Sequence, residues 1–171
     1  MKKILTLFAV VGLFAFSGCS DDDNNNTDFD TISEVIEVNG YNFNSGNGFR
    51  IRYDLNPEIY PGDMVLVYRL VAVEDGVKVW NPIPETVFDS NGAYDFSYNF
   101  EFSKFDVDIF MLGFDLSSVS TSLRLNQTFR IVIIPGSGAN FTSKKTIDLK
   151  DYNSVVKAYG ISENQVKHIS L

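Results

Sequence analysis

Three observations along this chain predict an all-β fold, an antiparallel β-sandwich with a short helix near the C-terminus. Apolar and polar residues alternate with a period of two, turn residues recur about every ten positions, and helical periodicity is scarce until the last segment. An up-and-down β-barrel satisfies the same pattern and stands as the alternative.

The first 18 residues stand apart from that pattern. Lys2 and Lys3 form a positive start, and Ile4 to Phe16 is an apolar run of 13 residues. A membrane-spanning helix needs roughly 20, so the run reads as a secretion signal rather than a span. Ser17 and Gly18 are small, as a cleavage site requires, and they precede Cys19, the one cysteine of the chain. With no second thiol, disulfides within the chain and Cys-based zinc sites are excluded.

Phe16-Ser17-Gly18-Cys19 resembles the lipobox of bacterial lipoproteins. The resemblance implies that Cys19 receives a thioether-linked diacylglycerol and becomes the mature N-terminus, and a lipidated Cys19 excludes a cysteine nucleophile as well. Each buried methylene contributes about 0.8 kcal/mol, so two or three acyl chains hold a protein where a single chain binds only marginally. An ordinary signal peptide with an incidental cysteine is the alternative. Ser20, Asp21, Asp22 and Asp23 follow directly, and a serine and acidic run in that place resembles the surface-export signal of Bacteroidota lipoproteins. The implied location is the outer membrane, lipid-anchored and exposed at the cell surface; a solubilising linker facing the periplasm is the other reading of the same run.

Residues 19–31 are a tether rich in Ser, Asp, Asn and Thr, a composition that buries too little apolar surface to offset its ordering entropy. Asp30-Thr31-Ile32 resembles the general O-glycosylation acceptor of the same phylum, which makes Thr31 a candidate acceptor. Asn126-Gln127-Thr128 and Asn140-Phe141-Thr142 match the N-glycosylation pattern by chance. Removing 18 of 171 residues leaves 153, enough for one domain over 32–171. The mature chain's 12 Lys and Arg against 22 Asp and Glu give a net charge of −10, which disfavours nucleic acid and anionic lipid as partners.

Within that domain, Phe49, Ile51, Tyr53 and Leu55 alternate with Arg50, Arg52 and Asp54, the mark of a strand with one buried face. Met64 to Val73 is apolar on both faces apart from Arg69 and reads as a central strand. Asp75-Gly76 is a tight hairpin turn into Val77 to Trp80, and Pro82 and Pro84 stop that strand from pairing deeply. Ser90-Asn91-Gly92 turns into an aromatic strand, where Tyr94, Phe96, Tyr98, Phe100 and Phe102 are expected on one face. Val107, Ile109 and Met111 mark another strand, and Phe129 to Ile134 is a continuous apolar run ending at Pro135-Gly136. Asp151 caps a helix through Tyr159 that Gly160 stops, and Gln165 to Leu171 returns as a strand or short helix. Seven or eight strands of this kind suit an immunoglobulin-like or jelly-roll-like sandwich.

Several of these segments carry a wider resemblance. Those running from Gly62 to Leu70, Val79 to Pro84, Asp106 to Phe110 and Gln127 to Pro135 look like recurring segments of a flavobacterial envelope-protein family of small β-domains. The match covers about Asp63 to Pro135, half of the mature domain. It implies a fold and a habitat and brings no activity with it.

Catalytic patterns are weak by comparison. Phe129 to Ile134 followed by Pro135-Gly136-Ser137-Gly138 starts like a strand feeding a dinucleotide loop, but Phe141 stands where the third glycine belongs. His168 is the only histidine, which leaves no two-His metal site and no well-placed triad. Asp106 with Asp108, or Asp95 with Glu101, could form the carboxylate pair about 5–10 Å apart that a glycosidase needs. Asp- and Asn-rich loops suit calcium in composition, yet none has the spaced ligands of an EF-hand loop. No cofactor and no metal are expected.

Fifteen Phe, eight Tyr and one Trp make the chain unusually aromatic, and most of these rings must fill the core. Tyr41, Tyr60, Trp80 and Tyr159 sit beside Gly or Pro in expected loops and are the candidate ligand platform. The leading expectation is a non-enzymatic surface lipoprotein, held by its anchor and binding an outer-membrane protein or a glycan. A carbohydrate-binding module, including a lipocalin-like carrier, and a small carboxylate-based hydrolase are the alternatives.

Overall fold

The computed structural model describes residues 33–136 and 146–170. Cys19, Ser20, Asp21, Asp22, Asp23 and Thr31 lie outside the described residues, as do the signal and Phe141. Nine strands are described: β1 (Glu34–Tyr41), β2 (Arg50–Asp54), β3 (Met64–Glu74), β4 (Val77–Pro82), β5 (Glu85–Phe88), β6 (Tyr94–Phe102), β7 (Asp106–Gly113), β8 (Gln127–Ile134) and β9 (Lys167–Ser170). Two short helices, α1 (Thr121–Arg124) and α2 (Tyr152–Tyr159), complete the regular structure together with 3-10 turns.

The strands form two sheets, one of five strands in the order β4-β3-β8-β1-β9 and one of four in the order β2-β7-β6-β5. Neither sheet closes on itself, so the barrel alternative is set aside. The expectation of purely antiparallel pairing needs a correction. β9 runs parallel to β1, with Ile36 opposite Lys167 and Asn39 opposite Ser170, which makes the larger sheet mixed. Parallel strands cannot be joined by a tight turn, and β1 and β9 are separated in the chain by most of the domain.

The inner faces meet in one apolar core. Val38, Val65, Val67, Phe129 and Ile131 from the larger sheet pack with Phe96, Tyr98, Val107, Ile109 and Met111 from the smaller. Period-two alternation accounts for this layer, since every second residue of each strand points inward. Arg69 is the exception. Its guanidinium grips Glu85 with Nε to Oε2 at 2.8 Å and Nη2 to Oε1 at 3.0 Å, and it lies 4.6 Å above the Tyr98 ring. This bidentate pair joins β3 to β5 across the two sheets, and the aromatic face offsets part of the desolvation that the guanidinium suffers.

A second core covers the outer face of the five-stranded sheet. Val35, Tyr68, Val132 and Ile134 pack there against Tyr152, Val155, Ile161 and Val166 of the C-terminal segment. Asp151 caps α2 by accepting from the Asn153 amide, and Gly160 ends it at φ 64°. The Tyr68 hydroxyl donates to the Leu149 carbonyl at 2.7 Å and pins the approach to α2. β8 is therefore buried on both faces, which explains why its sequence is a continuous apolar run rather than an alternation.

The aromatic strand differs in part from its expected pattern. Phe96 and Tyr98 are fully buried and Phe100 packs against the core, while Tyr94 and Phe102 emerge at the two ends of β6. β5 pairs with β6 only from Tyr94 to Tyr98 and β7 only from Phe96 to Phe102, so each terminal ring has a paired strand on one side alone.

Register separates two ends of the molecule. At one end, Glu34 pairs with Ile133 and Met64 with Ile134, so the N-terminal segment joins the fold there. The 55–63 loop is tied to the β6–β7 turn at the same end, through Leu55 N–H to the Phe105 carbonyl at 2.7 Å and Ile59 N–H to the Lys104 carbonyl at 2.9 Å. Gly136 passes so near Gly62 that a Cβ on Gly136 would stand 2.0 Å from the Gly62 oxygen. At the opposite end lie the β5–β6 turn, the close of β7 and the loop carrying α1.

Candidate functional site

The end away from the N-terminal segment carries a cluster of apolar side chains that the fold does not bury. Phe88 closes β5, Tyr94 opens β6, Leu112 stands one residue before the end of β7 and Phe114 follows it. Each is more than half exposed, and Phe114 is fully exposed. The residues that hold this end are local. Asp89 Oδ1 accepts from the Asn91 and Ala93 amides and fixes the turn between Phe88 and Tyr94. Those bonds favour the carboxylate and hold Asp89 below the ordinary range for an aspartate.

Phe88 pairs opposite Tyr94, and the Tyr94 hydroxyl donates to the Leu112 carbonyl at 2.8 Å, which holds the tyrosine side chain across β7. Gly113 permits the arrangement. A Cβ there would stand 2.8 Å from Leu116 and 3.0 Å from both the Asp95 carbonyl and Phe96, so only glycine lets the strand pass. Beside the rings, the outer face of the four-stranded sheet continues with Thr86, Ser97 and Asn99, and then with charge.

That charge is a cross-strand ladder. Asp108 accepts from Arg52 Nε and Nη2 and from Arg50 Nη1, all at 2.9 Å, and Arg52 Nη1 also reaches Asp106 at 3.4 Å. Arg50 bonds Glu101 as well and lies 4.1 Å over the Phe110 ring. The bonds from Arg52 come first and those from Arg50 reinforce them, so Asp108 is held below the usual aspartate range although burial opposes it. Each carboxylate whose acidity shifts clearly, Glu37, Asp89, Asp108, Asp151 and Glu163, shifts downward. The bonds of Asp108 to Arg52 and Arg50, with Asp106 also reaching Arg52, engage this pair in holding arginine across the sheet.

The four platform residues do not share a surface. Tyr41 is buried without exposure in the main core, so burial removes it from any platform. Trp80 and Tyr159 pack against the second core, with Trp80 under the Arg130 guanidinium at 4.4 Å. Tyr60 alone is exposed, and it sits in the 55–63 loop at the N-terminal end. A residue beside Gly or Pro was expected in a loop, but Tyr41 ends β1 and Trp80 lies within β4.

Sequence reasoning missed the exposed cluster because Phe88 and Leu112 fall on strands whose alternation reads as core. It also missed a charged centre beneath α2. Arg130, buried in β8, bonds Glu37 with Nε at 2.9 Å and Glu163 with Nη1 and Nη2 at 2.7 Å. Lys78 reaches Glu37 at 2.6 Å, and His168 Nδ1 stands 3.4 Å from the same carboxylate. An arginine inside an apolar run was the available signal.

Among the described residues no group of three or more His, Cys, Asp or Glu side chains could hold a metal ion. None of the described helices is long and apolar enough to cross a membrane. No protein-family model, curated protein or solved structure matches the chain.

Proposed function

We propose that the protein is a non-enzymatic outer-membrane lipoprotein of the cell surface that presents its distal end to a protein partner. The carrying observation is the exposed cluster of Phe88, Tyr94, Leu112 and Phe114, at the end away from the segment that leads to Cys19. A phenylalanine as open as Phe114 contributes nothing to the core, whereas contiguous exposed apolar groups mark interaction surfaces and aromatic anchors dominate their energetics. The lipobox-like Cys19, the acidic run behind it and the tether of 19–31 suit display away from the membrane. The two open layers, with chain crossings from β1 to β2, β2 to β3, β4 to β5 and β7 to β8, support an immunoglobulin-like or jelly-roll-like sandwich as the carrier.

The test is a photocrosslinking amino acid at position 114 in the full chain on intact cells, with position 157 on exposed Lys157 as control. The reading expects one stoichiometric outer-membrane protein from position 114 and none from 157, and a loss of at least tenfold on the Phe88→Ser, Leu112→Ser variant. A partner retained by that variant, or captured equally from 157, overturns it. Capture of glycan alone favours the carbohydrate-binding reading.

A further inference from the structure

A second set of exposed rings occupies the opposite end. Tyr60 and Phe105 are more than half exposed, and Phe102 is nearly so. Tyr60 and Phe105 belong to two loops that the structure locks together, and Phe102 closes β6 beside them: Ile59 N–H bonds the Lys104 carbonyl, and Leu55 N–H bonds the Phe105 carbonyl. Tyr60 is fixed in turn, since its amide donates to Asp63 Oδ2 at 2.9 Å and its carbonyl accepts from the Asp63 amide at 3.0 Å. Asp63 Oδ1 also accepts from Gly136 N–H at 3.1 Å, which ties this corner to the end of β8, where β1 begins alongside. The rings therefore lie at the end of the molecule where β1 begins.

We infer that this end rests on the lipid-water interface of the membrane that holds the Cys19 anchor, with Tyr60, Phe102 and Phe105 as the contacting rings. The inference depends on the lipidation reading given above. Chain length favours it. Fourteen residues, 20–33, lie between Cys19 and Glu34, and a chain of that length reaches about 20 Å as a random coil and about 50 Å at full extension, which keeps the domain close to the bilayer. At such range even a weak interfacial contact is engaged by effective concentration, with no large apolar area needed.

Ring chemistry favours the headgroup region as well. Tyr60 is an amphipathic ring of the type enriched at membrane interfaces, and Phe102 lies parallel to Phe100, with centroids 6.4 Å apart and planes at 15°. Lys104 lies 4.5 Å over the Phe105 ring and 3.2 Å from Glu58, so its charge is already partnered. Asp54, Glu58, Asp63 and Asp106 make the surroundings acidic. The surface is therefore suited to neutral, zwitterionic headgroups, and its contact should be insensitive to salt.

Hydrogen exchange on the lipidated full chain in phosphatidylcholine vesicles tests this, compared with the same protein released by proteolysis within the tether. The expected result is at least threefold slower exchange in 58–63 and 102–106 on vesicles, unchanged in 0.5 M salt, with 89–93 unaffected. The Tyr60→Ser, Phe105→Ser variant, which alters only exposed rings, should lose that protection and remain anchored. An anchored protein whose two segments exchange as fast as after release overturns this inference alone. If mass spectrometry finds no acyl group on Cys19, the lipidation reading falls and this inference with it.

Discussion

Arg130 and Glu163 meet fork to fork, Nη1 to Oε1 and Nη2 to Oε2, each at 2.7 Å. The pair joins the central strand β8 to the 3-10 turn after α2, and the guanidinium is also flanked by Trp80 and Tyr152 at 4.4 and 5.0 Å. Burial alone would weaken the arginine's charge, but Glu163, Tyr152 and Glu37 together hold it firmly protonated. The C-terminal segment is thus clasped to the sheet by Arg130, which with the buried Glu37 and its partner Lys78 forms a charged centre beside the apolar residues of this face.

Replacing Arg130 strands Glu37, which is 2% exposed, with Lys78 as its main remaining counter-charge. Arg130→Met is expected to destabilise the fold by about 3 kcal/mol, in the range for breaking a buried pair from one side. Glu163→Gln should cost under about 1 kcal/mol, because the Glu163 side chain is 63% exposed and solvent screens its pair. Denaturant titrations followed by Trp80 fluorescence give both values, and equal losses would contradict the asymmetry.

Acid should open the same clasp. Glu163 is lowered chiefly by its bonds to Arg130; burial raises Glu37, but Lys78 and Arg130 outweigh it, and both start from an ordinary value of 4.5. A carboxylate lowered in the folded state binds fewer protons there than in the unfolded state. Its stabilisation is complete above 4.5 and is lost as pH falls through the folded value. Stability is therefore expected to be flat from about pH 7 to 5 and to fall below about pH 4.5, more gently in Glu163→Gln. An identical acid slope in that variant would remove Glu163 from the account.

Most strands, the turns and the C-terminal helix were legible because they rest on local rules, whereas β1 and β5 were not legible as strands, and β4 pairs through Pro82, opposite Tyr68, where proline was expected to stop it. Asp75 and Gly76 both take positive φ at the β3–β4 hairpin, and Asp151 and Gly160 bound α2 as capping residues do. The second core was not legible, because covering β8 by residues some 20 positions later depends on a contact no local pattern encodes. Its trace was the missing alternation in β8. The distal cluster was hidden for the opposite reason: Leu112 has the composition of a core residue and the position of a surface one.

Gly113 should resist substitution. An alanine Cβ there meets Leu116 Cδ2 at 2.8 Å, which a rotamer could relieve, and the Asp95 carbonyl and Phe96 Cβ at 3.0 Å, which are less able to move. Gly113→Ala is expected to cost about 1–3 kcal/mol and to disturb the seating of Tyr94 on Leu112. Thermal unfolding measures the cost, and a loss below about 0.5 kcal/mol would show that β7 shifts freely.

Lipidation predicts a clean separation of anchoring from folding. Cys19→Ser should move the protein into soluble fractions with the unfolding midpoint of the domain unchanged, since the described fold begins at residue 33. Retention in membranes after salt and carbonate washing would show that some feature other than Cys19 holds it.

Tyr41 offers the sharpest test of packing. Its ring is fully buried, with Phe129 edge-on at 5.4 Å, yet its hydroxyl finds no hydrogen-bond partner among the described residues. Burial, with Tyr53 and Asp108 nearby, drives its ionisation well above the ordinary tyrosine range, so the group is a neutral polar atom in an apolar layer. Such a hydroxyl costs about 1–3 kcal/mol to desolvate and recovers nothing here, while the ring contributes all of its dispersion contacts. Tyr41→Phe keeps the ring and removes the cost, so it should raise stability by up to about 1 kcal/mol without altering the denaturant slope. A loss of that size would show that the hydroxyl is bonded in solution.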